Sequence, residues 1–127
     1  QFEPHVNEKQ REKEGSKGLP TRHFSSKQEK AVAKAIGGRQ TPNSGATAWV
    51  KSDVLTEDFA IECKTKTTHS ESISIKKEWF EKQKQEMVFM GKKHSAIVFS
   101  FGPDEEQHYI IDEYLFQYLL ECLKNDK

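Results

Sequence analysis

Little in this chain speaks for a secreted or membrane-bound protein. Two cysteines in 127 residues, Cys63 and Cys122, are too few for a disulfide framework. Cys63 falls at an inward position of a strand-like run and Cys122 in a leucine-rich C-terminal segment, so both read as small buried hydrophobes suited to a reducing cytoplasm. The five histidines are scattered and neither cysteine has a partner at ligand spacing, which argues against structural zinc. No apolar run approaches membrane-spanning length. Residues 1–20 are polar throughout, so no signal peptide is expected. Apolar residues are scarce at 34% and charged residues abundant at 31%, which leaves material for a modest core only. Net charge is also missing: 20 basic residues balance 20 acidic ones. Taken alone, that argues against a polyanionic partner.

The distribution of charge is less even. Residues 21–93 carry 14 Lys/Arg against 9 Asp/Glu, and residues 94–127 carry 2 against 7. A basic working surface backed by an acidic layer gives this pattern, as does chance segregation of ordinary surface charge. The length suits one domain. Residues 1–21 lack apolar periodicity and read as a flexible arm, and residues 22–127 as the folded domain. Ser25-Ser26 with Glu29 has the form of a capping box, opening a helix that stops at Gly37-Gly38, with Ala31, Val32, Ala35 and Ile36 as its apolar surface. Arg39–Thr41, Ala46–Leu55 and Phe59–Lys66 read as strands. A helix over 75–90, with Trp79, Phe80, Met87 and Val88 as its stripe, precedes strands at 95–101 and 107–111. A last helix over 112–123 is expected to pack Tyr114, Leu115, Tyr118 and Leu119 inward. The expected fold is α/β, a mixed sheet flanked by helices.

The chemistry is concentrated at Asp53 and at Glu62-Cys63-Lys64. On a strand the alternation sends Phe59, Ile61 and Cys63 to one face, and Glu62 and Lys64 side by side to the other. A β-hairpin brings Asp53 within about 5 Å of the second strand. Paired carboxylates beside an ammonium suit a hard divalent cation and a water, the requirements of phosphodiester hydrolysis. A solvated salt bridge between Glu62 and Lys64 is the plainer alternative. Glu29 is either the capping-box glutamate or, on a face shared with Ala33 and Ile36, a third carboxylate aimed at the sheet. Ser44-Gly45 is a turn or a phosphate contact. Arg39 is a surface arginine or a phosphate fork. Gln83 lies on a buried helical stripe and needs partners, from the backbone or from the site. Lys66, Lys76, Lys77 and Lys84 are solvated lysines or contacts to a nucleic-acid backbone.

Asp53, Glu62 and Lys64, with Ser44-Gly45 ahead and Glu29 on the preceding helix, resemble the PD-(D/E)XK nuclease superfamily, and within it the Holliday junction resolvases of archaea and phages. The resemblance covers most of residues 22–111; Ser52 stands where the motif carries proline. It implies a restriction-endonuclease-like αβββαβ core and a Mg²⁺-dependent endodeoxyribonuclease that cleaves branched DNA as a homodimer, with Mn²⁺ as a substitute ion. It implies metal ligation by Asp53, Glu62, the Cys63 carbonyl and Glu29, catalysis by these acids with Lys64, and DNA contacts from Arg39, Ser44, Gly45, Lys66 and Lys76. Gln83 would stand behind the site. It also implies a cytoplasmic setting, that of a host if the chain is phage-encoded. A structure-independent nicking, repair or restriction-type nuclease, and a non-catalytic nucleic-acid-binding module, are the alternatives.

Overall fold

The computed structural model describes residues 19–42 and 52–126. They form α1 (Thr21–Ile36), β1 (Arg39–Gln40), β2 (Val54–Leu55), β3 (Phe59–Lys64), α2 (Lys77–Phe89), β4 (His94–Phe99), β5 (His108–Ile110) and α3 (Glu113–Asn125). The strands make one five-stranded mixed sheet in the order β1-β2-β3-β4-β5. Three neighbouring pairs are antiparallel, and β3 with β4 is parallel, bridged by α2. This is the α/β architecture that the alternating patterns lead one to expect. Among the described residues no helix is long and apolar enough to cross a membrane.

Alternation along β3 sorts the two faces of the sheet. Ile61 and Cys63 join Val54, Ala96 and Val98, and α1 covers them with Val32 and Ala33. Ile36, Phe59 and Ile111 pack against this cluster. Burial here removes several branched side chains from water at about 25 cal/mol per Å². On the other face lie Ala60, Glu62 and Lys64, with α2 above them: Lys64 Nζ sits 4.5 Å from the centre of the Trp79 ring, and Gln83 Nε2 donates to the Ala60 carbonyl at 2.8 Å.

Several sequence expectations change. The capping box is not formed. The helix opens four residues earlier, at Thr21 after Pro20. Ser25 donates instead to the Arg22 carbonyl, and Glu29 is engaged by Gln40. Ala31 and Ala35 are exposed, because the inward row of α1 is Gln28, Glu29, Val32 and Ala33. Val88 is exposed, and the fully covered residues of α2 are Gln83 and Glu86. In α3 only Leu115 is buried; Tyr114, Tyr118 and Leu119 are not, and Cys122 is exposed too. Of the strand expected over 46–55, Val54–Leu55 is strand, Ser52 and Asp53 are irregular, and residues 46–51 lie outside the described residues.

Gly37 ends α1 in the left-handed region (φ 71°), and its amide caps the helix by donating to the Ala33 carbonyl. The next residue turns the chain tightly into β1. A Cβ on Gly38 would lie 2.7 Å from the Leu55 carbonyl oxygen, so only glycine lets β1 close against β2.

Candidate functional site

Asp53 sits where the β2–β3 ladder loses its regularity. Val54 pairs with Ile61, yet the Asp53 amide also donates to the Ile61 carbonyl at 2.9 Å, so two residues of one strand stand against one of the other. Such a bulge re-aims the side chain that follows from it. Here the Asp53 carboxylate turns to β3, and Oδ2 accepts the Cys63 amide at 2.8 Å. Thr41 ties down the other side: its hydroxyl donates to the Ser52 carbonyl at 2.6 Å, and its amide to the Asp53 carbonyl at 3.0 Å.

Glu62 and Lys64 are both partly covered, with Lys64 Nζ 3.8 Å from Glu62 Oε2. The expected pairing therefore exists, on the α2 face of β3. Gln28 fixes the backbone that follows. Its Nε2 donates to the Lys64 carbonyl at 3.2 Å and to Gln107 Oε1 at 2.9 Å, while its Oε1 accepts the Thr65 hydroxyl at 2.7 Å.

A carboxylate that sequence reasoning missed completes the group. Glu86 is 1% exposed. It accepts the Ser52 hydroxyl at 3.2 Å and has Lys82 3.7 Å away. Its signal was available, because Glu86 follows Trp79 by seven residues and Gln83 by three, on the face that meets the sheet. A helical glutamate among Glu81, Lys82, Lys84 and Gln85 reads as solvated, and that hid it.

The acids raise one another. Burial first, and then the negative charges of Asp53 and Glu86, lift the Glu62 carboxyl from an ordinary 4.5 to about 8 against the pull of Lys64 and Lys82. Burial also lifts Asp53; the Cys63 amide opposes the rise and Glu86 reinforces it. Glu29 is raised by burial and, more weakly, by Asp53, while its hydrogen bond from Gln40 opposes the change. Burial drives the Cys63 thiol upward, so it is a packed neutral group on the α1 face.

Asp53, Glu62, Lys64 and Glu86 thus share one electrostatic neighbourhood, with Glu29 at its border. Among the described residues no three His, Cys, Asp or Glu side chains form a group arranged to hold a metal ion. Each of Asp53, Glu29 and Glu86 is turned to a hydrogen-bond partner of its own. The donor set nonetheless fits a hard cation, since it is oxygen-only and carries more negative than positive charge in a partly buried place. Gln83 anchors β3 from behind, and its Oε1 is a buried acceptor with no partner.

The other expected residues are spread more widely. Arg39 is exposed on the edge strand β1, and Lys76 is exposed at the N-cap of α2. Lys66 lines a groove of about 380 Å³ with Phe24, Thr65 and Gln107. Asp104, Glu105 and Glu106 line the same groove, and Asp104 pairs with Lys27 at 2.8 Å. Part of the acidic C-terminal segment therefore stands beside the strand end that carries Lys64, where the charge count had suggested a layer behind it. Ser44 and Gly45 lie outside the described residues. No family model, curated protein or solved structure matches the chain.

Proposed function

We propose that this chain is a Mg²⁺-dependent endodeoxyribonuclease with a restriction-endonuclease-like core, acting on branched DNA. The observation that carries this reading is the raised affinity for protons of the buried Asp53 and Glu62 carboxylates, close to the charge of Glu86 and beside the Lys64 ammonium. An excess of buried negative charge is costly unless something positive relieves it. A cation binding site uses that cost, because displacement of the proton from Glu62 is compensated by ligation.

Asp53, Glu62 and the Cys63 carbonyl would hold the ion. When bound, Mg²⁺ supplies Lewis-acid stabilisation of the charge that develops on a phosphoryl oxygen. Lys64 lies between Glu62 and the Trp79 ring, which keeps its ammonium close to the strand. Its role there is to stabilise phosphate charge and orient the attacking water. Glu86 holds Ser52 by hydrogen bond and so steadies the backbone just ahead of Asp53. Gln28 does the same for the carbonyl of Lys64. Arg39, Lys66 and Lys76 are the proposed contacts to the DNA backbone, and DNA and a second copy of the chain the proposed partners.

The test is cleavage of four-way junction, linear duplex and single-stranded DNA with Mg²⁺ or Mn²⁺, comparing wild type with Glu62→Ala. Symmetric nicks confined to the junction and lost in the variant support the proposal. Equal cutting of all three substrates identifies a structure-independent nuclease. Binding without cutting, unaffected by the substitution, identifies a non-catalytic binding module.

A further inference from the structure

The groove that Lys66 lines lies at the carboxyl ends of the parallel pair β3 and β4, between α1 and the turn from β4 to β5. Open α/β sheets take their ligands in crevices at that position. Its volume of about 380 Å³ falls at the lower end of the roughly 300–1,000 Å³ of small-molecule sites. Phe24, Ala31 and Ala35 line it from α1. At i, i+7 and i+11 they form one row of the helix, separate from the row that covers the sheet. Methyl side chains leave such a row flat, and Pro103 lines the groove from the turn. A ring at one end of a flat apolar floor suits a planar ligand.

The polar groups of the groove are chiefly acceptors. Gln28 and Ser100 line it and are 7% and 4% exposed. Gln28 Oε1 accepts the Thr65 hydroxyl at 2.7 Å, and Ser100 Oγ donates to the Gly102 carbonyl at 2.9 Å, so each oxygen keeps a lone pair for another donor. Asp104, Glu105 and Glu106 line the groove from the turn. Asp104 is held by Lys27 and Glu105 by His69, while Glu106 has no ion pair among the described residues. Three carboxylates outnumber the two ammonium groups, Lys27 and Lys66, so the groove itself disfavours a phosphate and favours N–H groups.

We propose that this groove receives an unpaired nucleobase that carries an exocyclic amine: adenine, cytosine or guanine. Its ring lies against Phe24 and the alanine row, and its amine meets the acceptors of the turn. That the base belongs to the DNA being cleaved rests on the nuclease reading; the recognition chemistry does not. Stacking on an aromatic ring is tolerant of sequence, so Phe24 supplies affinity. Carboxylates accept from an amino edge and repel a carbonyl edge, so the turn supplies selectivity against thymine. The candidate catalytic strand is adjacent. Thr65 and Lys66 line the groove directly after Lys64, and Gln28 donates to the Lys64 carbonyl at 3.2 Å. A base in a duplex has its edge paired and its faces stacked, whereas one already unpaired, as at a branch point, costs least to take up.

Amide chemical shifts of the full chain, without metal, titrated with the four deoxynucleosides and with methylguanidinium, test the proposal. Deoxyadenosine, deoxycytidine and deoxyguanosine should shift the amides of Thr65, Ser100 and Gln107, and thymidine should bind at least ~10-fold more weakly. Phe24→Ala should weaken binding roughly 10-fold. Ala31→Glu, at an exposed helical position, should keep the fold and block the floor. Glu106→Gln should narrow the gap between deoxycytidine and thymidine to ~3-fold. No shift with any nucleoside overturns the proposal, and saturation by methylguanidinium alone reassigns the groove to a basic side chain. Equal binding of thymidine overturns the selectivity for an amine. Nucleoside binding by a chain that cuts no DNA keeps the groove and overturns the nuclease reading, and cutting without nucleoside binding does the reverse.

Discussion

The two faces of the central sheet are built on opposite rules. Under α1, Ile61, Cys63, Val54, Ala96 and Val98 meet Val32 and Ala33, and apolar contact dominates. Under α2, one residue along the same strand, the fully covered helical side chains are Gln83 and Glu86, facing Ala60, Glu62 and Lys64. The first face stabilises the molecule. The second draws on that stability to keep charges out of water. The buried charges of this fold are confined to the side that the apolar core does not need.

Four changes sharpen or break this contrast. The largest effect is expected on activity: Glu62→Ala or Lys64→Ala should lower the rate of junction nicking by roughly 10³-fold, with little loss of fold in circular dichroism. A variant that still cuts at wild-type rate removes the α2 face from the chemistry. Next comes stability on the α1 face, where Ile61→Ala should cost about 2–5 kcal/mol in urea unfolding. A cost below 1 kcal/mol would show that the apolar side is not the stabilising one.

The third is the dependence on pH. Glu62 holds its proton more tightly folded than unfolded, about 8 against 4.5. The folded state therefore loses stability as pH rises between those two values, by an amount on the order of a few kcal/mol. Metal-free wild type should melt lower at pH 8.5 than at pH 5.5, and Glu62→Gln should flatten the difference. Glu86→Gln should reduce it in part, since the Glu86 charge is one of the causes, and melting curves at the two pH values decide. The smallest effect belongs to Gln83→Leu. It loses the bond to the Ala60 carbonyl and also the unpartnered Oε1, so the two changes offset to within about 1 kcal/mol. A larger loss would mean that the acceptor is satisfied by ordered water, for which the adjoining cavity of about 10 Å³ beside Phe80 and Ser95 has room for one molecule at most.

The strands and helices were readable because period-two and helical patterns both leave clear marks. Phe59, Ile61 and Cys63 turned inward as their alternation requires, and Gly37 stopped α1 where a left-handed residue is needed. The bulge at Asp53 was not readable, since it depends on which carbonyl of the neighbouring strand an amide finds. Glu86 was hidden by its charged neighbours in sequence. The packing of α3 was misjudged for a different reason: an apolar arc tells how much surface a helix wants to cover, and not whether its own chain supplies the cover. Glu29 looked like a cap because Ser25-Ser26 preceded it, yet Pro20 had already set the helix start upstream.

Gln28 has a practical consequence for anyone redesigning this protein. By joining the exit of β3 to Gln107, it couples the turn between β4 and β5 to the strand that carries Lys64. That turn looks like a free place to graft a tag or lengthen a loop. Insertions there will be felt at the end of β3 that carries Lys64, whereas the junction after α2, around Gly91, is tied to the opposite end of that strand, where Lys92 Nζ donates to the Glu57 carbonyl at 3.1 Å and the Lys93 and His94 amides to the Asp58 carbonyl at 3.1 and 2.9 Å, and it is the better graft point.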